Sequence, residues 1–242
     1  MTDPTQPGWN LRFPWLVALL CSLVPVVFAI ASSVVVQVLE LTGVPAHLVL
    51  TGGTVLSALV GLLVMARARP SLAEFGWRTP RHVKHALWFV PILLAEAALL
   101  ATGDVAGPWV AFLAGLLFAV AVGLNEELWF RGLVLQALRT RGAGAAVVGS
   151  AVLFAVVHAA GMLGGADPVL TAFQIAFALV FGLVTALLVL RTGSLWPGIV
   201  WHIVHNTISF AGPDVPTPAG MVAYGVVSVA LLGYAAWLAR RP

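Results

Sequence analysis

From Phe13 to Val38 the chain carries no charged side chain, and further apolar runs of similar length follow, seven or eight in all. About 20 apolar residues cross a bilayer as a helix. The chain is 61% hydrophobic and 9% charged, far too apolar for a soluble domain. The pattern predicts an all-α, polytopic membrane protein of about eight transmembrane helices. Residues 1–13 read as a short cytoplasmic tail and 14–242 as one integral-membrane helical domain. A formal charge of +3 in such a chain says little about nucleic acid, and no nucleic-acid partner is expected; the basic residues matter by position.

The expected spans are 14–39, 46–66, 85–102, 109–139, 143–161, 169–190, 195–210 and 219–238. Pro25 lies inside the first, and Pro197 in the first turn of the seventh, where proline is tolerated. The span from Trp109 is long enough to require a tilt or bend. Arg12, the stretch Arg67 to Lys84 with Arg69, Arg78 and Arg81, then Arg139, Arg141, Arg191, Arg240 and Arg241 all fall on one side of an eight-span arrangement. The opposite loops carry only Glu40, Asp104, Asp167 and Asp214. The positive-inside rule then puts both termini in the cytoplasm of a multi-pass cell-membrane protein. Ala29-Ile30-Ala31 resembles a signal-peptidase site, but the apolar character continues to Val38, so an uncleaved first span is expected. The single cysteine, Cys21, reads as a small buried side chain.

One stretch breaks the apolar rule. Ala111 to Leu124 is uncharged; then come Glu126, Glu127 and, four residues on, Arg131. A charge at the centre of a membrane helix costs about 2.5–3.5 kcal/mol on insertion scales, so these groups need a protein interior or a wet cavity, and partners. Candidates lie in other spans: His158, His202, His205 and Asn206. At 1.5 Å per residue, Glu126 and His158 are level, roughly 20–25 Å from the turn at Arg141, and His202 and Asn206 lie roughly 14 and 20 Å past Gly193.

Spacing sorts these groups. Glu127 and Arg131 can pair on one helix face, and Glu126 points about 100° away. His202 shares a face with Asn206, as Phe154 does with His158. A desolvated Glu gains basicity and can take a proton from water. A neutral imidazole can orient that water, and a His beside an Asn can donate to a developing oxyanion. The same His and Glu groups can instead hold a metal such as zinc, although the H-E-x-x-H signature is absent. Glu96, alone in its span, is an intramembrane acid that no motif includes; it reads as a structural partner, and His205 as at most a support. Trp129 and Phe130 could line a substrate groove or face lipid.

Glu126-Glu127-x-x-x-Arg131, Phe154-x-x-x-His158 and His202-x-x-x-Asn206 resemble, in order and spacing, the three motifs of the CAAX-protease and bacteriocin-processing family, also called CPBP or Abi. It includes the Ras-converting type of CAAX prenyl endopeptidase. The resemblance covers about 110–210, which would then be the catalytic core. It implies an eight-helix intramembrane endopeptidase. It also implies Glu126 as the base that activates water with help from His158, and His202 and Asn206 as the oxyanion hole. Glu127, Arg131 and Phe154 would be supporting residues. The family is usually labelled metalloprotease, with zinc the expected ion and Glu126, His158 and His202 its ligands if a metal is used; a metal-free Glu/His mechanism is also proposed for the prenyl-protease branch. The implied partner is a membrane-associated peptide or protein, prenylated or of bacteriocin type, reached from the cytoplasmic side of the bilayer. Two other functions fit the same sequence: a non-catalytic immunity or scaffold protein of this fold, and a proton-coupled transporter, against which the lack of a duplicated half counts.

Overall fold

The computed structural model describes residues 12–68, 71–80, 82, 88–101, 108–211 and 217–241. Arg69, Arg81, Lys84, His85, Asp104, Asp214 and nearly all of the N-terminal tail lie outside them. The described residues contain helices and turns and no strand, because a helix satisfies its own backbone hydrogen bonds in lipid. In chain order the helices are α1 (Pro14–Val38), α2 (Gly43–Ala68), α3 (Val90–Leu100), α4 (Trp109–Arg141), α5 (Ala143–Gly164), α6 (Pro168–Thr192), α7 (Trp196–Ala211) and α8 (Pro218–Ala239).

Six of these are long and apolar enough to cross a membrane: α1, α2, α4, α5, α6 and α8. The other two described helices are shorter. The third run yields a described helix of 11 residues and the seventh one of 16. Their rises are about 16 and 24 Å, short of a hydrocarbon core of about 30 Å. Both pack against neighbouring helices of the bundle. α1 runs unbroken through Ala29–Ala31 to Val38, and Cys21 is buried and free.

Helix ends carry local signals. The Asp167 side chain accepts from the N–H groups of Val169 and Leu170 at 2.8 and 2.9 Å, with Pro168 at the first helical position. Gly193 ends α6 at φ +68°, where a side chain would be strained. The next turn is tied down by Leu195 N–H donating to the Gly76 carbonyl at 2.8 Å, and Arg191 reaches the Ala239 carbonyl at 3.1 Å. These contacts gather the ends bearing Arg78, Arg191 and Arg240 at one end of the bundle.

The core centres on the second half of α4. From Leu128 to Val134 the helix widens to π geometry, every residue of it buried, before returning to α and ending in a 3-10 turn at Arg139–Arg141. This is the physical form of the irregularity expected in so long a span. Trp129 is 1% exposed and its indole N–H donates to Ser57 Oγ of α2 at 3.0 Å. The carbonyl of Phe130 accepts from Ser150 Oγ of α5 at 2.8 Å. Both aromatic residues are interior; neither a groove nor a lipid-facing role remains for them. Small residues set the closest crossings, as in membrane bundles generally: Gly123 lies against Ile203, and Gly182 against the backbone of Ala151.

Candidate active site

α4 delivers its two carboxylates at the last turn of regular α-helix, just before the π segment. They point to different surroundings. Glu127 is fully buried, and its Oε1 is 3.1 Å from Arg131 Nη1, the (i, i+4) pair anticipated from spacing. The same oxygen is 3.1 Å from His202 Nδ1 on α7. Glu127 therefore joins two helices, which spacing within one helix cannot reveal. Glu126 is turned away with a quarter of its side chain exposed, and its Oε2 lies 3.5 Å from His202 Nε2. That separation is too long for a firm hydrogen bond. His202 stands between the two acids, one ring nitrogen toward each.

Such an approach of α7 to α4 needs a glycine. Gly198 lies one turn before His202, and a Cβ there would come within 2.7 Å of Glu127 Oε2 and 3.2 Å of its Cδ. Gly198 is a site residue that the motif reading missed. Its only sequence signal is a small residue four positions before His202, on the same helix face.

Arg131 is fully buried. No N–H of its guanidinium makes a well-directed hydrogen bond among the described residues, so the pairing with Glu127 is chiefly electrostatic. The guanidinium also lies over the Phe154 ring at 4.2 Å and within 5.8 Å of Phe181, contacts that favour a desolvated cation. Phe154 is the hub of the site. Besides Arg131 it meets His158 edge-on at 4.9 Å, and His202 at 5.9 Å. Phe181 of α6 closes the other side of His202 at 4.8 Å; it too was missed, since nothing distinguishes it in sequence from other apolar residues.

His158 lies where α5 tightens from α to 3-10 geometry. Its Nδ1 is 2.7 Å from the Phe154 carbonyl. A carbonyl oxygen can only accept, so Nδ1 carries a proton, and in the neutral ring Nε2 keeps its lone pair. Asn206 follows His202 by one turn and is half-buried. Its side chain makes no hydrogen bond among the described residues, leaving its amide available. The structure thus links Glu126 to His202, His202 to Glu127 and Phe154, and Arg131 to Glu127 and Phe154, sets His158 against Phe154, and puts Asn206 one turn beyond His202.

Among the described residues no group of three or more His, Cys, Asp or Glu side chains is arranged to hold an ion. Glu126 and His202 Nε2 approach each other, and no third such side chain joins them. A second acid–histidine contact lies nearby: Glu96 of α3 and His205 of α7, the two intramembrane groups outside the motifs, are partners of each other.

Residues 107–208 match the profile of the type II CAAX prenyl endopeptidase Rce1-like family. This segment runs from the start of α4 through His202 and Asn206 and holds all three motifs. The resemblance read from those motifs is borne out over it, and the matched family is one of CAAX-type proteases. A comparison with curated proteins gives no match.

Proposed function

We propose that the protein is an intramembrane endopeptidase that hydrolyses a peptide bond in a membrane-associated peptide or protein, with water activated by Glu126. One observation carries this reading: of two adjacent carboxylates, Glu127 is locked between Arg131 and His202, while Glu126 is the partly exposed one, free to meet water and substrate. The Rce1-like match supports the same reaction class.

In this mechanism Glu126 takes a proton from water, and the oxygen attacks the carbonyl carbon of the scissile bond. With Nδ1–H donated to the Phe154 carbonyl, the neutral His158 ring offers Nε2 to accept the second water hydrogen and orient the attack. His202 lies with Nδ1 against Glu127 and directs Nε2 toward the open side of the site, where an Nε2–H would donate to the oxyanion. The Asn206 amide is the second donor to the oxyanion. As the C–N bond breaks, Glu126 passes its proton to the leaving nitrogen. No step is routed through a metal. Access is from the cytoplasmic side, at the end that gathers the basic residues. The substrate is a membrane-anchored chain, with or without a prenyl group.

The test compares peptide termini in host cells carrying the wild-type chain or Glu126→Gln at matched abundance. Termini that vanish in the variant identify both reaction and substrate. Identical maps under conditions where the protein is needed would overturn the reading in favour of a non-catalytic immunity or scaffold role.

A further inference from the structure

Beside the Glu126–Glu127 site the bundle buries one more carboxylate, and α3 brings it against the helix that carries His202 and Asn206. Glu96 is 3% exposed. The indole N–H of Trp201 donates to its Oε1 at 2.6 Å. His205 Nδ1 lies 3.1 Å from the same oxygen and 3.3 Å from Oε2. The His205 ring is stacked on Phe177 of α6 at 4.7 Å and meets Tyr224 of α8 edge-on at 6.0 Å.

The register of these contacts is informative. Trp201 and His205 are four apart and share a face of α7. His202 and Asn206 are the next residues along, about 100° around the axis. Glu96 therefore grips α7 at two points one turn apart, each adjacent in sequence to a candidate oxyanion donor. Glu127 grips the same helix on another face, through His202. Apolar packing alone tolerates small slips of a helix about its axis, whereas directed hydrogen bonds in a low dielectric do not. A contact that served only to pack α3 on α7 would have no need of a carboxylate, since apolar residues of similar volume do as well.

We propose that Glu96 is a positioning residue. Through Trp201 and His205 it fixes the rotation of α7, and so the aim of His202 and Asn206. Side chains stand about 5–6 Å from a helix axis, so a rotation of about 10° moves them by about 1 Å. A misplacement of that size costs roughly a hundredfold in rate. The consequence for cleavage rests on the endopeptidase reading; the coupling of Glu96 to His202 does not.

The experiment uses the full chain in lipid nanodiscs, as wild type, Glu96→Ala, Glu96→Gln, Trp201→Phe and, as a packing control on α3, Ile92→Ala. Kinetics are measured on a substrate found by terminus mapping. Glu96→Ala should lower kcat ten- to a hundredfold with KM within about threefold. Glu96→Gln should retain most of kcat and an unshifted pH profile, because its amide oxygen still accepts from Trp201 and its NH2 can donate to the other His205 tautomer. Trp201→Phe, which removes one tether, should lower kcat several-fold, and Ile92→Ala should not. A Gln variant as impaired as the Ala variant, or with a shifted pH profile, would overturn positioning in favour of a charge or proton role. An unchanged kcat in Trp201→Phe would also overturn it, whether or not Glu96→Ala folds. An arm independent of activity reads the ring ¹⁵N signals of His202, identified by their loss in His202→Gln. They should move in Glu96→Ala and Trp201→Phe and stay put in Glu96→Gln and Ile92→Ala; unmoved signals in the first two would sink the coupling. If the wild type cuts nothing, the endopeptidase reading fails by itself and this arm still decides the proposal.

Discussion

Gly198→Ala adds one methyl group at the tightest point between α7 and the acid pair. The new Cβ would lie 2.7 Å from Glu127 Oε2, about 0.7 Å inside ordinary contact, which begins near 3.4 Å. A free carboxylate would swing aside at little cost. Glu127 is not free: it is fully buried and held by Arg131 and His202, each at 3.1 Å. Either the carboxylate moves and lengthens one of these contacts, or α7 retreats from α4. Overpacking of this kind costs about 1–3 kcal/mol. The expected loss is of that order in graded-denaturant unfolding in mixed micelles. If proteolysis is established, the rate should fall by roughly one to two orders of magnitude, because a shift approaching 1 Å at His202 disturbs the oxyanion donors. Gly225→Ala and Gly233→Ala on α8 are matched controls, since a Cβ at either meets nothing within 4 Å. They should be neutral or stabilise by up to about 1 kcal/mol through helix propensity. A Gly198→Ala protein as stable and active as these controls would refute the claim that the glycine exists for the approach to Glu127.

Glu127→Gln should cost about 3–5 kcal/mol, because it leaves the Arg131 guanidinium buried without its counter-charge. Adding Arg131→Met should restore much of that, and a double variant no more stable than the single one would show that the ion pair is not the source. Ser57→Ala strands the buried Trp129 indole N–H and should cost about 1–3 kcal/mol in the same unfolding assay; no loss would mean that the α2–α4 hydrogen bond is not formed. Gly182→Ala puts a Cβ within 2.9 Å of Ala151 Cα, where backbone cannot yield, and should force α5 and α6 apart. Unchanged crosslinking between cysteines introduced on the facing sides of these helices would contradict so close a crossing.

Much of the site was legible because membrane chains use charge so sparingly. Two adjacent acids in an uncharged stretch had to be inward and partnered, and the spacing of Glu127 and Arg131 pointed to their pairing before any coordinates. Spacing also put Phe154 on the face of His158, and Asn206 on that of His202. Spacing paired Glu127 with Arg131 and left Glu126 free, but it could not say that Glu127 would also be held from α7. That contact depends on His202 and Gly198, 70 or more residues further along the chain. The π segment escaped too, because it reflects how α4 must fit against α2 and α5, not any local propensity of Leu128–Val134. Trp129 and Phe130 were ambiguous for the same reason: in lipid an apolar side chain is equally at home outside the bundle or within it.

The sequence by itself determined the class of the molecule, a helical bundle in a bilayer, and the chemical inventory of its centre. Insertion energetics act on each run separately and can be read one run at a time. Only the tertiary structure showed how the 11 described residues of α3 and the 16 of α7 pack in the bundle. It alone joined Glu127 to His202 and Glu96 to His205. Those pairings are between helices, and in a chain this apolar the lateral order of helices is set by small-residue crossings and a few directed polar contacts, which no single segment encodes.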